Sequence, residues 1–361
     1  RVPWIFSALL VGAMMAIYNP FKAIVVSPTF DFLAQLGMYF LLFIIGFEID
    51  LRKLKKCKKF IFKATFFIIF LEAILGTLLV HFLFDISWFI SFLVALSFAT
   101  VGEAILIPIL DEFKIINTKL GQSIIGIGTL DNIIEILLLI VIGVLIGTQT
   151  NSTINIVVTL ISLAVLFILT LGLRKLKPQG DKFKFTKIEV LFLLIIFVLF
   201  IFIGIGKLAH AAPIAALLAG IGLNTFIPDS RINKNKSSIK TLSYGFFAPI
   251  FFLWIGASID FNYLISFPLI ILAVVLVSKS AKLIGSYIVG KKELGTKQSI
   301  LLGIGLSVRF STSIIIIKIL FDNGLIGSDL YSVIVASSII FKFIVPILFS
   351  NLLVRWKMIK K

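Results

Sequence analysis

Long apolar segments separated by short polar connections run through this sequence of 361 residues. A membrane-crossing helix needs about 20 predominantly apolar residues, and twelve segments approach or exceed that length. They lie at 4–20, 31–48, 64–83, 88–110, 121–146, 154–173, 188–205, 211–226, 245–259, 266–290, 299–320 and 330–352. They lack the alternating polarity that is typical of barrel strands. The pattern predicts an all-α polytopic membrane protein with about 12 transmembrane helices.

The connections between the apolar segments are shorter than a small folded domain. We therefore expect residues 1–361 to form a single transmembrane domain, with no soluble domain.

Charge is scarce in this chain, and its distribution indicates topology. Charged residues make up 14% of the sequence, against about 25% in soluble proteins, and the net charge is +17. The basic residues fall on alternate connections, at 52–63, 114–119, 174–187, 231–240, 291–297 and 355–361. The opposite connections hold only Lys22 and Lys207. By the positive-inside rule the basic side is cytoplasmic, so both ends of the chain lie in the cytoplasm. The positive charge therefore indicates topology and not a nucleic-acid partner. The expected partner is the lipid bilayer itself.

One apolar segment carries acidic and amide side chains near its middle. Asp131, Asn132 and Glu135 lie in the segment 121–146. A carboxylate near the centre of a membrane helix costs about 3 kcal/mol, and such groups usually mark ion or proton pathways. Asp131 offers hard oxygen ligands to an alkali cation and can take up a proton instead; the alternative is a structural ion pair. Asn132 supplies a carbonyl oxygen or a helix cap, and Glu135, one turn from Asp131, is an accessory ligand or a solvated group.

Two segments contain polar, helix-weakening residues halfway along their length. They belong to two triplets of segments with opposite orientations, 64–146 and 266–352, as an inverted repeat requires. Thr100 and Glu103 lie in the first interruption, and Arg309 lies in the second. Interrupted helices in corresponding positions point to a transporter's ion site, where charged side chains compensate the half-helix dipoles. A plain salt bridge between Glu103 and Arg309 is the alternative.

Lys279 and Lys282 share one face of the segment 266–290. One of them can pair with a carboxylate at the site, and we expect the other to extend toward the membrane surface. Depth in the segment slightly favours Lys279 as the central lysine.

Several phrases of the sequence resemble those of bacterial Kef-type and related monovalent cation:proton antiporters, the sodium–hydrogen exchanger-like membrane domains. LAQLGMYFLLFIIGFEIDLRKLKK, APIAALLAGIGLNTF and FFAPIFFLWIGASIDF are similar to three of the family's helices and lie at 33–56, 212–226 and 246–261. The interrupted helix with the ion-binding helix that follows it, the lysine-bearing helix and the second interrupted helix have counterparts at 97–136, 281–290 and 303–316. The resemblance covers essentially the whole chain in order.

The resemblance implies an antiporter fold, a homodimer and alternating access by movement of a core domain beside a scaffold. It places the core at about 64–146 and 266–352, and the scaffold and dimerisation helices at about 1–48 and 154–259. Asp131 and Asn132 occupy the family's paired acidic positions, although the second member is usually Asp. Lys282 matches the family's lysine, so the choice of Lys282 over Lys279 rests on the resemblance. Thr100 matches the first break, and Arg309 matches the basic residue of the second.

These observations predict a secondary transporter, not an enzyme, in a bacterial inner membrane. It exchanges Na+ or K+ for H+ at a site of Asp131 and Asn132 with Thr100 and Glu103; Lys282 and Arg309 compensate charge, and Glu135 and Lys279 are accessory. No cofactor is expected beyond the transported ions. Exchange is electroneutral if Asp131 alone exchanges, and electrogenic if Lys282 also loses its proton. The alternatives are a Kef-like gated K+ efflux pathway, to which a separate cytosolic regulatory subunit could bind, and a transport-inactive membrane scaffold.

Overall fold

The fold is given by a computed structural model that describes residues 5–48, 59–99, 110, 113–148, 153–175, 188–208, 211–226, 237–308 and 311–356. All regular structure in these ranges is helical. The helices are α1 (Ile5–Ile17), α2 (Lys22–Val25), α3 (Pro28–Glu48), α4 (Lys59–Phe84), α5 (Trp88–Ala99), α6 (Lys119–Thr148), α7 (Thr153–Lys175), α8 (Ile188–Leu208), α9 (Ala212–Phe226), α10 (Ser237–Ala257), α11 (Phe261–Ser266), α12 (Pro268–Leu294), α13 (Thr296–Leu306), α14 (Ser311–Asp322) and α15 (Ser328–Arg355).

The structure confirms the prediction of an all-α polytopic membrane protein. Among the described residues, 7 helices are long and apolar enough to cross a membrane, namely α3, α4, α6, α8, α10, α12 and α15. Shorter apolar stretches of 10–17 residues lie within α1, α5, α7 and α9. Each of the predicted segments overlaps a described helix. The segment 299–320 overlaps both α13 and α14, and 266–290 overlaps α12 and the last residue of α11. That segment is interrupted as predicted, because α13 ends at Leu306, while Ser307 and Val308 are not helical.

The chain divides into two compact units. Unit 1 contains α4, α5, α6 as far as Leu138, and α11 to α15; unit 2 contains α1 to α3, the end of α6, and α7 to α10. The boundary between the units therefore falls inside α6.

Unit 2 is held together by helices that approach each other at glycines. A Cβ on Gly46 of α3 would lie 2.1 Å from the Leu217 carbonyl oxygen of α9, and one on Gly220 would lie 2.2 Å from the Phe43 oxygen. Gly12 of α1 and Gly256 of α10 form a second contact of the same kind. Small residues let membrane helices pack with their backbones close together, where dispersion contacts replace the missing hydrophobic drive.

Unit 1 places α12 between two neighbours. Gly285 of α12 faces Ile68 of α4, while Gly303 of α13 lies against Leu283 of α12. Pro268 begins α12, where its missing N–H costs nothing, and Gly295, with φ of +80°, separates α12 from α13. The α12 face that these neighbours cover is rich in small residues and includes Lys282.

Candidate functional site

Asp131 and Glu135 lie on one face of α6 in unit 1. They are four residues apart, one helical turn, and their exposed fractions are only 1% and 4%. The helix packs against α4 at Gly126, which faces the side chain of Ile61. Both carboxyl groups are thus removed from bulk water, and the alternative that Glu135 is a solvated group does not hold. The backbone of Asn132 is helical, and its side chain lies outside the described residues.

A second buried carboxylate, Glu72 of α4, forms an ion pair with α12. Glu72 Oε2 lies 3.5 Å from Lys282 Nζ, and each side chain is 1% exposed. The Ser278 hydroxyl, one turn before Lys282, donates a hydrogen bond of 2.5 Å to Glu72 Oε1. Low dielectric strengthens this attraction, which offsets part of the cost of burying both charges.

The two lysines of α12 both donate to the end of α13. Lys282 Nζ donates to the Leu306 carbonyl oxygen at 2.7 Å, and Lys279 Nζ donates to the Ser307 oxygen at 3.0 Å. Lys279 Nζ also lies 3.8 Å from the ring centroid of Phe341. A helix ends with unpaired carbonyl groups and a partial negative charge, which cations stabilise. The expectation that one lysine extends to the membrane surface is therefore wrong, because the ammonium group of each is held by the interrupted helix.

Residues with hydroxyl side chains lie on both sides of the interruption along the chain. Ser307 is buried and donates to the Gly303 carbonyl oxygen at 2.7 Å. Thr312 and Ser313, in the first turn of α14, are also buried. Along the chain, the break thus lies between the lysine-capped end of α13 and the polar first turn of α14.

Three predicted site residues lie outside the described residues. Thr100 and Glu103 follow the last described residue of α5, Ala99, and Arg309 lies between α13 and α14. In the described part of the chain, Lys279 and Lys282 donate to the end of α13, and the charge-compensating role of Arg309 stays a prediction.

Sequence reasoning gave no specific role to Glu72. The signal was present, because Glu72 interrupts the apolar segment 64–83 just as Asp131 interrupts 121–146. Ser278 was not singled out, since its role depends on a contact across 206 positions of sequence. Lys318 of α14 is buried as well; its Nζ lies 2.5 Å from Asp322 Oδ1 and 5.8 Å from the Tyr331 ring centroid.

The chemistry of unit 1 is thus that of buried carboxylates and lysines on membrane-crossing helices. Ionisable groups in such places mark ion paths and proton relays in transporters. The family model "Sodium/hydrogen exchanger, transmembrane" matches residues 1–355. The chain belongs to the sodium/hydrogen exchanger family.

Relatives in the exchanger family match nearly the whole chain. The chain is 28% identical to a probable Na+/H+ antiporter 3 of Methanocaldococcus jannaschii, covering 98% of this chain and 91% of that protein. It is 27% identical to a Na+/H+ antiporter of Enterococcus hirae, covering 87% and 82%. The solved structure of the sodium proton antiporter MjNhaP1 from M. jannaschii matches with a TM-score of 0.66 at 18% identity, covering 98% of this chain and 91% of that chain. That structure shares the fold.

A more distant relative is named as a potassium-efflux protein. The glutathione-regulated potassium-efflux system protein KefC of Shigella flexneri is 24% identical over 67% of this chain. The match spans 39% of the KefC length, so it concerns only part of that protein.

Proposed function

We propose that this member of the exchanger family is a secondary transporter that exchanges a monovalent cation, Na+ or K+, for protons. The proposal rests chiefly on one observation, the buried carboxyl group of Asp131 on a membrane-crossing helix in a chain that the exchanger family matches over residues 1–355. The antiporters of M. jannaschii and E. hirae named above support sodium as a candidate ion.

Asp131 is the exchanging group. Its carboxylate binds either the cation or a proton, never both, so release of one ion on one side of the membrane permits binding of the other. Asn132, Thr100 and Glu103 complete the ion site with oxygen ligands. Glu135, buried one turn away, is an accessory ligand.

Charge compensation is assigned to Lys282 and Arg309, with Lys279 accessory. The ammonium groups of Lys282 and Lys279 donate to the end of α13, which supports this assignment for the two lysines. Fixed helix dipoles and side-chain charges then stabilise the bound cation in place of bulk water.

Unit 1 is proposed as the transporting core and unit 2 as the scaffold and dimerisation domain. The apolar outward side chains of unit 2 suit contact with lipid or with a second copy. The protein acts as a homodimer in a bacterial inner membrane, with both ends of this chain cytoplasmic.

Proteoliposomes that contain a pH-sensitive dye test the proposal. With an acidic interior, external Na+, K+ or Li+ should raise the internal pH through the protein, while choline should not. Liposomes without protein set the background. No cation-dependent proton flux with any of the three ions over a broad pH range would contradict the proposal and favour a transport-inactive scaffold.

A gated K+ efflux pathway is the second candidate, which the KefC match favours. The two mechanisms differ in their need for a proton. If K+ leaves the proteoliposomes at an unchanged rate while no proton moves in the opposite direction, the protein is a K+ efflux pathway. If K+ efflux stops under that condition, the protein is an exchanger.

A further inference from the structure

Glu72 is a buried carboxylate to which the proposed exchange assigns no role. It lies on α4, whereas the proposed ion ligand Asp131 lies on α6. Its contacts are instead with α12, through the Ser278 hydroxyl and the Lys282 ammonium. The question is what this pair does to the charge of the site during transport.

A carboxylate and the carbonyl end of a helix lie beside the ammonium group of Lys282. Glu72 Oε2 supplies a negative charge 3.5 Å away. The Leu306 oxygen, at the negative end of α13, accepts from Nζ at 2.7 Å. Ser278 donates to the other oxygen of Glu72 and so fixes the carboxylate in place. All of these groups lie in unit 1.

We propose that Glu72 is the permanent counter-charge of Lys282, that Lys282 keeps its proton through the transport cycle, and that the exchange is one cation for one proton. This inference rests on the proposed function, and it decides between the electroneutral and electrogenic cycles that the sequence leaves open.

The charges balance as follows. In one half-cycle the site carries the Asp131 carboxylate with its cation, which together are neutral. In the other half-cycle it carries the protonated Asp131 carboxyl group, which is also neutral. Glu72 and Lys282 contribute one negative and one positive charge in both. The site therefore crosses the membrane with the same net charge in each direction, and the cycle moves no net charge.

An electrogenic cycle would have to break the Glu72 pair. If Lys282 released its proton when the cation binds, the Glu72 carboxylate would keep its charge at a buried position beside a neutral amine. An isolated buried carboxylate is strongly disfavoured, so the ion pair resists release of the proton.

The balance point of exchange tests the inference on the wild-type chain. Proteoliposomes are held at zero membrane potential with an equal concentration of the membrane-permeant anion thiocyanate on both sides, and net proton flux is measured against opposing gradients of Na+ and H+ with K+ absent. If K+ is the transported ion, K+ replaces Na+ throughout. For one proton per cation, net flux vanishes when the Na+ gradient equals the H+ gradient. For two protons, it vanishes when the Na+ gradient equals the square of the H+ gradient, and that result would overturn the inference. Complete absence of Na+-, Li+- and K+-dependent proton flux would instead count against the proposed function.

Variants of the pair test the role of Glu72 itself. In Glu72→Gln the counter-charge is lost, so the balance point should move from the equal gradient toward its square. Glu72→Asp, which keeps the charge, and Ser278→Ala, which removes only the hydroxyl, should retain the wild-type balance point. An unchanged balance point in folded Glu72→Gln would refute the assignment, whatever its transport rate. If Glu72→Gln does not fold, the wild-type balance point still decides the stoichiometry.

Discussion

At the scale of single residues, the burial of charge on α4 and α12 shapes both stability and chemistry. Glu72 and Lys282 are each 1% exposed, so bulk water solvates neither charge. Removing one partner of a buried ion pair leaves an uncompensated charge, whereas replacing both with apolar residues of similar size is often tolerated. Replacing one member of the pair should therefore lower stability strongly, whereas replacing both members together should lower it little.

This asymmetry gives a stability prediction. Lys282→Met alone should lower the free energy of unfolding by about 3 kcal/mol, because Glu72 stays buried without its cation. The double variant Glu72→Leu with Lys282→Met should recover most of that loss. Denaturant unfolding of the detergent-solubilised protein measures both values. Equal losses in the single and double variants would show that the ion pair is not the cause.

The residue scale also shows where sequence reasoning stops. The burial of Asp131 follows from its place in an apolar segment, because a helix of that composition must lie in the membrane. The pairing of Glu72 with Lys282 does not follow, because charges on separate helices can pair in several ways until packing selects one. Gly285 against Ile68 and Gly303 against Leu283 bring α4 and α13 against α12 on two sides close to Lys282, and this packing determines the partners of Lys282.

At the scale of helices, the long apolar segments were sufficient to predict all the helices except the short α2 and α11, while the contacts between helices depend on small residues. The predicted segment 31–48 corresponds to α3, and 330–352 corresponds to α15. The break at Ser307 was predicted from a cluster of Gly and Ser residues that weakens the helix. The contact of α3 with α9 at Gly46 was not predicted, because many glycines in the sequence look alike.

The contact at Gly46 gives a prediction with a control in the same unit. Gly46→Ala would place a methyl group 2.1 Å from the Leu217 carbonyl oxygen, so the helices must separate. The cost should be about 1–3 kcal/mol, the range for overpacking. Gly172 of α7 has no such neighbour within 4 Å, so Gly172→Ala should be neutral or slightly stabilising through helix propensity. Thermal unfolding in detergent measures both, and equal midpoints for the two variants would contradict the close packing of α3 and α9.

At the scale of the whole molecule, the placement of Lys and Arg predicts the orientation in the membrane. The basic connections of the sequence all fall on one side, which we assign to the cytoplasm. Two compact units built from interleaved parts of the chain suit a core and a scaffold. The roles of the units remain predictions.

Cys57 gives a direct test of orientation, because it is the only cysteine in the sequence and lies in a basic connection. A membrane-impermeant maleimide should label it only after the cells are permeabilised. In a Cys57→Ser background, Ser152→Cys on the opposite side should react in intact cells. Labelling of Cys57 in intact cells would reverse the assigned topology.

The most direct test of the account is proton flux through the Asp131→Asn variant. Asparagine has nearly the same size as aspartate, but it cannot alternate between a cation and a proton. The exposed Glu189→Gln on α8 is the matched control, since it makes the same chemical change outside the proposed site. In proteoliposomes, cation-dependent proton flux should fall to the level of protein-free liposomes in Asp131→Asn and stay at the wild-type level in Glu189→Gln. Wild-type exchange in a folded Asp131→Asn variant would contradict the central claim that Asp131 is the exchanging group.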